Sequence, residues 1–391
     1  MTETPDFRFF APCPRGLEPL LTSELESLGA REIVPTQGGV AFTGDLALCY
    51  SANLESRIAS RVLLRIFHGP YRSEHDIYQS AYRLPWRDWF SARHTIKIKV
   101  SAQHCPLKSL DFVTLRIKDA VCDKFVAVGR TRPSIDTHRP DIRIDAFLDA
   151  EHVSLYIDTS GEPLFKRGLR KSSADAPLRE NLAAGILKLS GWTPGQVLLD
   201  PMCGSGTILL EAAQISRNIA PGSGRQFAFE KLLNFDAKMW DALCTQRRSR
   251  QSPHAPLAIY GCDRDEIAVK AARANLEASG LGNAVALKQA DVLETKAPAD
   301  EGVLIANPPY GVRIGEESEL ALFYPRLGDA LKKNFASWRA YFLTADMRLP
   351  KLIRLSVSRR APLFNGPLEC RLFEFKIVEG ANRRNKSNTQ E

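Results

Sequence analysis

The chain has 391 residues, of which 44% are hydrophobic and 25% charged, with a formal net charge of +8 and a pI near 9.1. That length exceeds one ordinary compact domain, and the composition excludes a disordered or fibrous chain. No apolar run reaches the length of a membrane span, and the N-terminus MTETPDFRFF has no basic-then-apolar signal pattern. The eight cysteines never form CxxC, which fits neither a zinc site nor a disulfide frame and points to a reducing compartment, the cytoplasm.

The charge is uneven along the chain. Residues 1–50 hold three Lys and Arg against seven Asp and Glu, a net of −4, and the excess of cations lies in the remainder. Residues 51–175 hold 21 against 15 and residues 176–391 hold 29 against 23, a net of +6 each. Such a division suits a long polyanion crossing more than one domain, and suits equally a solvated charged surface.

PRGLEPLLTSELESLGA (14–30) reads as an amphipathic helix stopped by Gly29, and REIVPTQGGVAFTG as strand. From about residue 55 to 158 come short helices and β-rich runs such as HTIKIKVSA and DIRIDAFLDAEHVSLYIDTSG. EPLFKRGLRKSSADAP (162–177) is polar, basic and punctuated, the character of a linker. Beyond it strands alternate with helices: QVLLD then TILLEAAQISR, AIYGCD then DEIAVKAARANLEASG, AVALKQAD, GVLIANPPY then LALFYPRLGDALKKNF, and RAYFLTAD. This predicts βαβ units and a parallel sheet. LIRLSVSRRAPLFNGPLECRLFEFKIV predicts a closing hairpin round Asn-Gly-Pro, and ANRRNKSNTQE a disordered tail.

Chemistry gathers at the strand ends. In VLLDPMCGSGT (197–207) an apolar strand ends in Asp200, and a loop carrying Gly204 and Gly206 leads into a helix. Glycines there let a ligand approach the backbone at a helix N-terminus. There is no Lys-Ser/Thr for a P-loop and no third glycine for a dinucleotide fingerprint, whereas a ligand with a cationic amino-acid end suits Asp200. The second strand ends at Asp263, placed to take both hydroxyls of a ribose, and the third offers Asp291 beside an adenine amine. Each acid alone reads more readily as a helix cap, the role expected of Asp265, or as a surface residue than as a ligand contact. Three consecutive parallel strands each ending in Asp, after a glycine loop, fit S-adenosylmethionine. No His, Cys and acid cluster has ligand spacing, so no metal is expected.

The fourth strand delivers Asn307, Pro308, Pro309 and Tyr310 to the same edge. The Asn307 side-chain carbonyl and the Pro308 backbone carbonyl can accept both hydrogens of an exocyclic NH2. The nitrogen lone pair is then left facing the methyl donor. Tyr310 can stack on the base, a contact worth about 1–3 kcal/mol in single-stranded binding. A plain strand-to-helix turn is the bland alternative.

These residues carry a resemblance. DPMCGSGT, NPPYG and PLRENLAA (177–184) are similar to the class I S-adenosylmethionine-dependent amino-methyltransferases, and the N-terminal pieces to ferredoxin-like and THUMP modules. Together they resemble the RlmL-type 23S rRNA guanine-N2 methyltransferases, over the whole chain to about residue 380, including the insertion APGSGRQFAFEKLLNFDAKMW. The resemblance implies a ferredoxin-like segment at 1–47, a THUMP module that binds RNA at 48–160, a linker at 161–176, a methyltransferase domain at 177–380 and a tail at 381–391. The fold implied is α/β: a Rossmann-like, seven-stranded, mostly parallel sheet with a C-terminal antiparallel hairpin, preceded by the two α+β modules.

It further implies a donor site of Arg179, Glu180, Asn181, Asp200, Pro201, Gly204, Gly206, Thr207, Asp263, Arg264, Asp291, Val292 and Asn307. The substrate implied is the N2 amine of a guanine in 23S rRNA or a large-subunit assembly intermediate, of the guanine-2445 type. From the basic runs, Lys118, Arg139, Arg143 and Arg167 are candidate RNA contacts. No DNA or membrane partner is expected, and the chain is expected as a monomer or weak dimer. Some relatives fuse a second methyltransferase; here one activity is expected. The residue after NPPYG is often acidic in the family and is Val312 here. Rival readings are a tRNA guanine-N2 or an adenine-N6 methyltransferase, and a ribosome-assembly factor with a vestigial methyltransferase fold.

Overall fold

A computed structural model describes residues 6–167, 178–252, 256–308 and 316–378, without the side chains of 316–318. The chain divides into two compact units. In the first, β1 (Phe7–Pro12), α1 (Glu18–Ser27), β2 (Arg31–Thr36), β3 (Gly39–Gly44) and α2 (Leu46–Glu55) are followed by β4 (Leu63–Pro70), α3 (Glu74–Arg83) and β5 (Ile96–Ala102). Then come α4 (Leu110–Gly129), β6 (Ile142–Leu148) and β7 (His152–Asp158). All seven strands form one sheet in the order β2-β3-β1-β4-β7-β6-β5, so the two expected N-terminal modules share a sheet across the antiparallel β1–β4 pair. Three of these helices start where side chains supply acceptors: Asp45 caps α2 at Leu48 N–H, Ser73 and Asp76 form a capping box on α3, and Ser109 caps α4.

The second unit begins with α5 (Glu180–Leu189), β8 (Leu198–Asp200) and α6 (Thr207–Ser216). The chain then leaves it: residues 219–251, with α7 (Ala237–Ser249), belong to the first unit. There Phe229 stacks on Tyr50 at 4.5 Å, and its N–H donates to the Thr159 carbonyl at 2.9 Å. Arg225 donates to the carbonyls of Ser160, Glu162 and Pro163, and Arg247 pairs with Glu55 at 2.6 Å. The described part of the expected linker, 161–167, is held in this packing rather than free, with Leu164 buried and its N–H on the Ser60 carbonyl at 2.9 Å.

Back in the second unit are β9 (Ile259–Asp263), α8 (Glu266–Ala278), β10 (Ala286–Gln289), β11 (Val303–Ala306), α9 (Glu316–Asn334) and β12 (Arg339–Thr344). They are followed by α10 (Leu349–Leu352), β13 (Val357–Asn365) and β14 (Leu368–Lys376). The sheet order is β10-β9-β8-β11-β12-β14-β13. The first five strands are parallel, and β14 runs antiparallel to both β12 and β13, the expected hairpin, turning at Gly366 with φ +65°. The β11 side chains are all buried, and Leu304 and Ala306 pack in one core with Tyr324 and Leu327 of α9 and Trp338. Pure apolar strands of this kind suit a sheet covered on both faces. Among the described residues no helix is long and apolar enough to cross a membrane.

Candidate active site

The sheet order fixes where a ligand belongs. From β8 the chain moves outward on one side to β9 and β10, and β11 and β12 lie on its other side. In open parallel sheets the crevice at such a reversal, beyond the strands' carboxyl ends, is the binding place. Here the loop after β8 and the segment after β11 flank it, which brings the Asp200 and Asn307 motifs to neighbouring strands.

Asp200 ends β8 and is 2% exposed, with its Oδ1 accepting the Met202 N–H at 3.2 Å. Burial, and secondarily the charge of Asp263, push its carboxyl up to about 8. A buried acid of that kind is poised to receive a cation. The glycine loop follows, with Gly204 at φ +52° and Gly206 at φ +82°. Their roles differ. A Cβ on Gly206 would stand 3.0 Å from the Ala272 Cβ of α8, so this glycine allows loop and helix to close together. A Cβ on Gly204 would meet nothing within 4 Å, which leaves open space beside the loop. The Gly204 N–H donates to Asp263 Oδ2 at 2.9 Å, while Asp263 Oδ1 accepts the Asp265 N–H at 3.0 Å.

The remaining candidates fall as follows. Asp291 lies two residues beyond β10, half-buried, with Oδ1 accepting the Leu293 N–H at 2.8 Å. The Val292 side chain lies in the core, so only its backbone can face a ligand. Arg264 is exposed and its carbonyl accepts from Gln289. Pro201 and Thr207 are buried on either side of the glycine loop. Glu180 and Asn181 are buried in the first turn of α5, while the exposed Arg179 lies against the hairpin turn, its Nη2 3.3 Å from where a Gly366 Cβ would stand. Asn307 is half-buried and Pro308 buried directly after β11. Pro309, Tyr310 and Val312 lie outside the described residues, as do the tail and the linker from 168 on.

Two candidate RNA contacts are corrected. Arg167 is 2% exposed, its guanidinium donating to the carbonyls of Leu164 at 2.6 Å and Arg57 at 2.9 Å. A cation spent on internal carbonyls cannot reach a phosphate. Arg143 grips Asp145 with Nε and Nη2, both at 2.8 Å, and its charge is answered within the sheet. Lys118 pairs with Asp119 at 3.0 Å, and Arg139 is exposed.

Sequence reasoning missed Asn275. It is 2% exposed on α8 and its Nδ2 donates to the Ser205 carbonyl at 3.0 Å, pinning the glycine loop from below. The available signal was a polar residue beside Ala272 and Leu276 on the apolar face of an otherwise amphipathic helix.

Residues 167–374 match the RMKL-like methyltransferase domain family, residues 8–63 the RlmL ferredoxin-like domain and residues 71–158 the THUMP domain. The chain belongs to the RMKL-like methyltransferase family. The ribosomal RNA large subunit methyltransferase K/L of Aeromonas hydrophila is 38% identical over 98% of this chain and 56% of its own length. The chain thus spans about half the length of the first curated relatives it matches, at 56% and 54%. The Synechocystis protein slr0064 is 38% identical over 94% of this chain and 96% of its own length. Among solved structures, SMU.472 in complex with SAH is 29% identical, with a TM-score of 0.86 over 97% of this chain and 99% of that one. The α/β methyltransferase fold with ferredoxin-like and THUMP modules is therefore that of a family member.

Proposed function

We propose that this chain transfers a methyl group from S-adenosylmethionine to the exocyclic N2 amine of a guanine in 23S rRNA, of the guanine-2445 type, in the cytoplasm. The observation that carries the reading is the meeting, at one sheet reversal, of a buried acid, a glycine loop with open space beside it and the Asn-Pro segment. The family's ribosomal RNA names add the substrate class.

The residues present fit the donor. Gly204 leaves the space a ligand needs, Asp200 suits a cationic amino-acid end, and Asp263 and Asp291 bring carboxylates to the neighbouring strand ends. When bound, S-adenosylmethionine supplies an electrophilic methyl on a sulfonium sulfur. Asp200 holds the amino-acid end, and ionises to do so. Asp263 takes the ribose hydroxyls with the lone pairs left after its bonds to Gly204 and Asp265. Asp291 and the Val292 backbone receive the adenine. Asn307 and Pro308 accept the two amine hydrogens and aim the lone pair of N2. Asn307 and Pro308 would thereby present the N2 lone pair to that electrophilic methyl, and the methylated amine would give its proton to water. Alignment of this kind can supply about 7–11 kcal/mol of the barrier.

The test is transfer of labelled methyl by the purified chain onto 23S rRNA and onto total tRNA, followed by nucleoside mass spectrometry. N2-methylguanosine in the 23S digest is expected. Label confined to tRNA, or appearing as N6-methyladenosine, moves the substrate to a rival reading. Transfer onto DNA rather than RNA overturns the RNA reading.

A further inference from the structure

Outside the site, the first unit carries a row of rings with no part in its core. On α3, His75, Tyr78 and Tyr82 recur at helical spacing, lie within 15° of parallel and have centroids 6.3 and 6.0 Å apart. The helix buries Ile77 and Ala81 instead, while His75 is exposed and both tyrosines are half-exposed. The neighbouring α4 sets a cation over each tyrosine: the Arg116 guanidinium is 4.3 Å from the Tyr78 centroid and the Lys124 ammonium 5.4 Å from that of Tyr82. Tyr78 Oη donates to the exposed Asp123 at 2.8 Å, which fixes the ring.

The charge is concentrated on the same stretch. Residues 72–132, which contain α3 and α4, hold twelve Lys and Arg against six Asp and Glu. The whole +6 of residues 51–175 resides there, since the flanking parts cancel. Flat rings beside cations, in a basic segment, are what an unpaired polynucleotide recognises: bases stack on rings and phosphates meet the cations. A duplex, whose bases are already stacked, gains nothing from such a row.

We infer that the α3–α4 face, through Tyr78, Tyr82, His75, Arg116 and Lys124, is a stacking platform that holds an unpaired segment of the RNA substrate. The platform rests on the RNA reading above and gives it a docking surface where Arg143 and Arg167 do not.

The experiment uses the full chain and a labelled, unstructured oligouridine, with an RNA duplex of the same length as comparison, read by fluorescence anisotropy. Tyr78→Ala and Tyr82→Ala should each weaken oligouridine binding by about tenfold. Duplex binding should change little, and Tyr82→Phe should retain wild-type affinity. Arg116→Gln with Lys124→Gln should shallow the salt dependence by roughly two phosphate contacts; this pair, half-buried and outside the core, serves if a tyrosine variant does not fold. Folded variants with wild-type oligouridine affinity overturn the platform, and so does an equal loss for duplex and single strand in the tyrosine variants. A wild-type chain that methylates guanine in rRNA yet ignores oligouridine sinks the platform alone. Tyrosine-dependent binding with a different modified nucleoside upholds the platform and sinks the guanine reading alone.

Discussion

Asp263, at the end of β9, accepts the backbone N–H of Gly204 at 2.9 Å, so the acid proposed to take the ribose also holds the glycine loop in place. The two roles separate in mutants. Asp263→Asn keeps a carbonyl acceptor for the loop and loses the charge; Asp263→Ala loses both. Titration calorimetry with S-adenosylmethionine should show weakened binding in both, by more than about tenfold in the alanine variant, because hydrogen bonds to a charged group are worth about 1.5–3 kcal/mol. Unchanged affinity in Asp263→Ala would remove the acid from the donor site.

The glycines should part in the same way. Gly206→Ala adds a Cβ 3.0 Å from Ala272 at φ +82° and should lower the melting temperature. Gly204→Ala, at φ +52° with open space ahead, should cost no more than about 1–2 kcal/mol in stability. Its Cβ enters the proposed donor space, so donor affinity should fall further in Gly204→Ala than stability does. The reverse pattern would place the open space elsewhere.

Asp200 makes the donor-free protein sensitive to pH. Its carboxyl is raised to about 8, well above the ordinary carboxylate value of 3.8, so between those limits the folded state binds more protons than the unfolded one. The associated stability is complete below about pH 4 and is lost as pH rises through about 8, at up to about 1.4 kcal/mol per pH unit. Thermal melts of wild type against Asp200→Asn, without ligand, should diverge toward alkaline pH with the asparagine variant the more stable. Binding a cationic amino group should release this proton, making the wild-type calorimetric enthalpy depend on the buffer's ionisation heat. Parallel melting curves across that range would contradict the account of Asp200.

Asn275→Ala leaves the Ser205 carbonyl without its α8 donor in a buried place, which should cost about 1–3 kcal/mol. If its role is to position the loop, donor affinity should also fall, and the loss should persist well below the melting temperature. Destabilisation with intact donor affinity would make it structural only.

Much of this was legible from order along the chain. Parallel strands announce themselves as short apolar runs, and each run's last residue falls at the ligand edge, so Asp200, Asp263 and Asn307 could be placed without coordinates. Asp265 was legible as a cap, and its carboxylate accepts the Ile267 N–H at 2.9 Å. Contacts across the chain were not legible. Counting cations cannot distinguish Arg167, whose charge is absorbed by internal carbonyls, from Arg139 on the surface. Nor does local pattern tell that Phe229, from the insertion after α6, stacks on Tyr50 far upstream. Val292 reads as a ligand-edge residue beside Asp291, yet in the turn after β10 its side chain packs into the core.

The most direct measurement is nucleoside mass spectrometry of 23S rRNA and tRNA from a strain lacking this protein, with wild type or Asn307→Ala restored. N2-methylguanosine should be depleted from 23S rRNA alone, should return with wild type, and should not return with a folded, donor-binding Asn307→Ala chain. An unchanged 23S profile in the deletion strain, or full restoration by Asn307→Ala, would contradict the proposed reaction and its site.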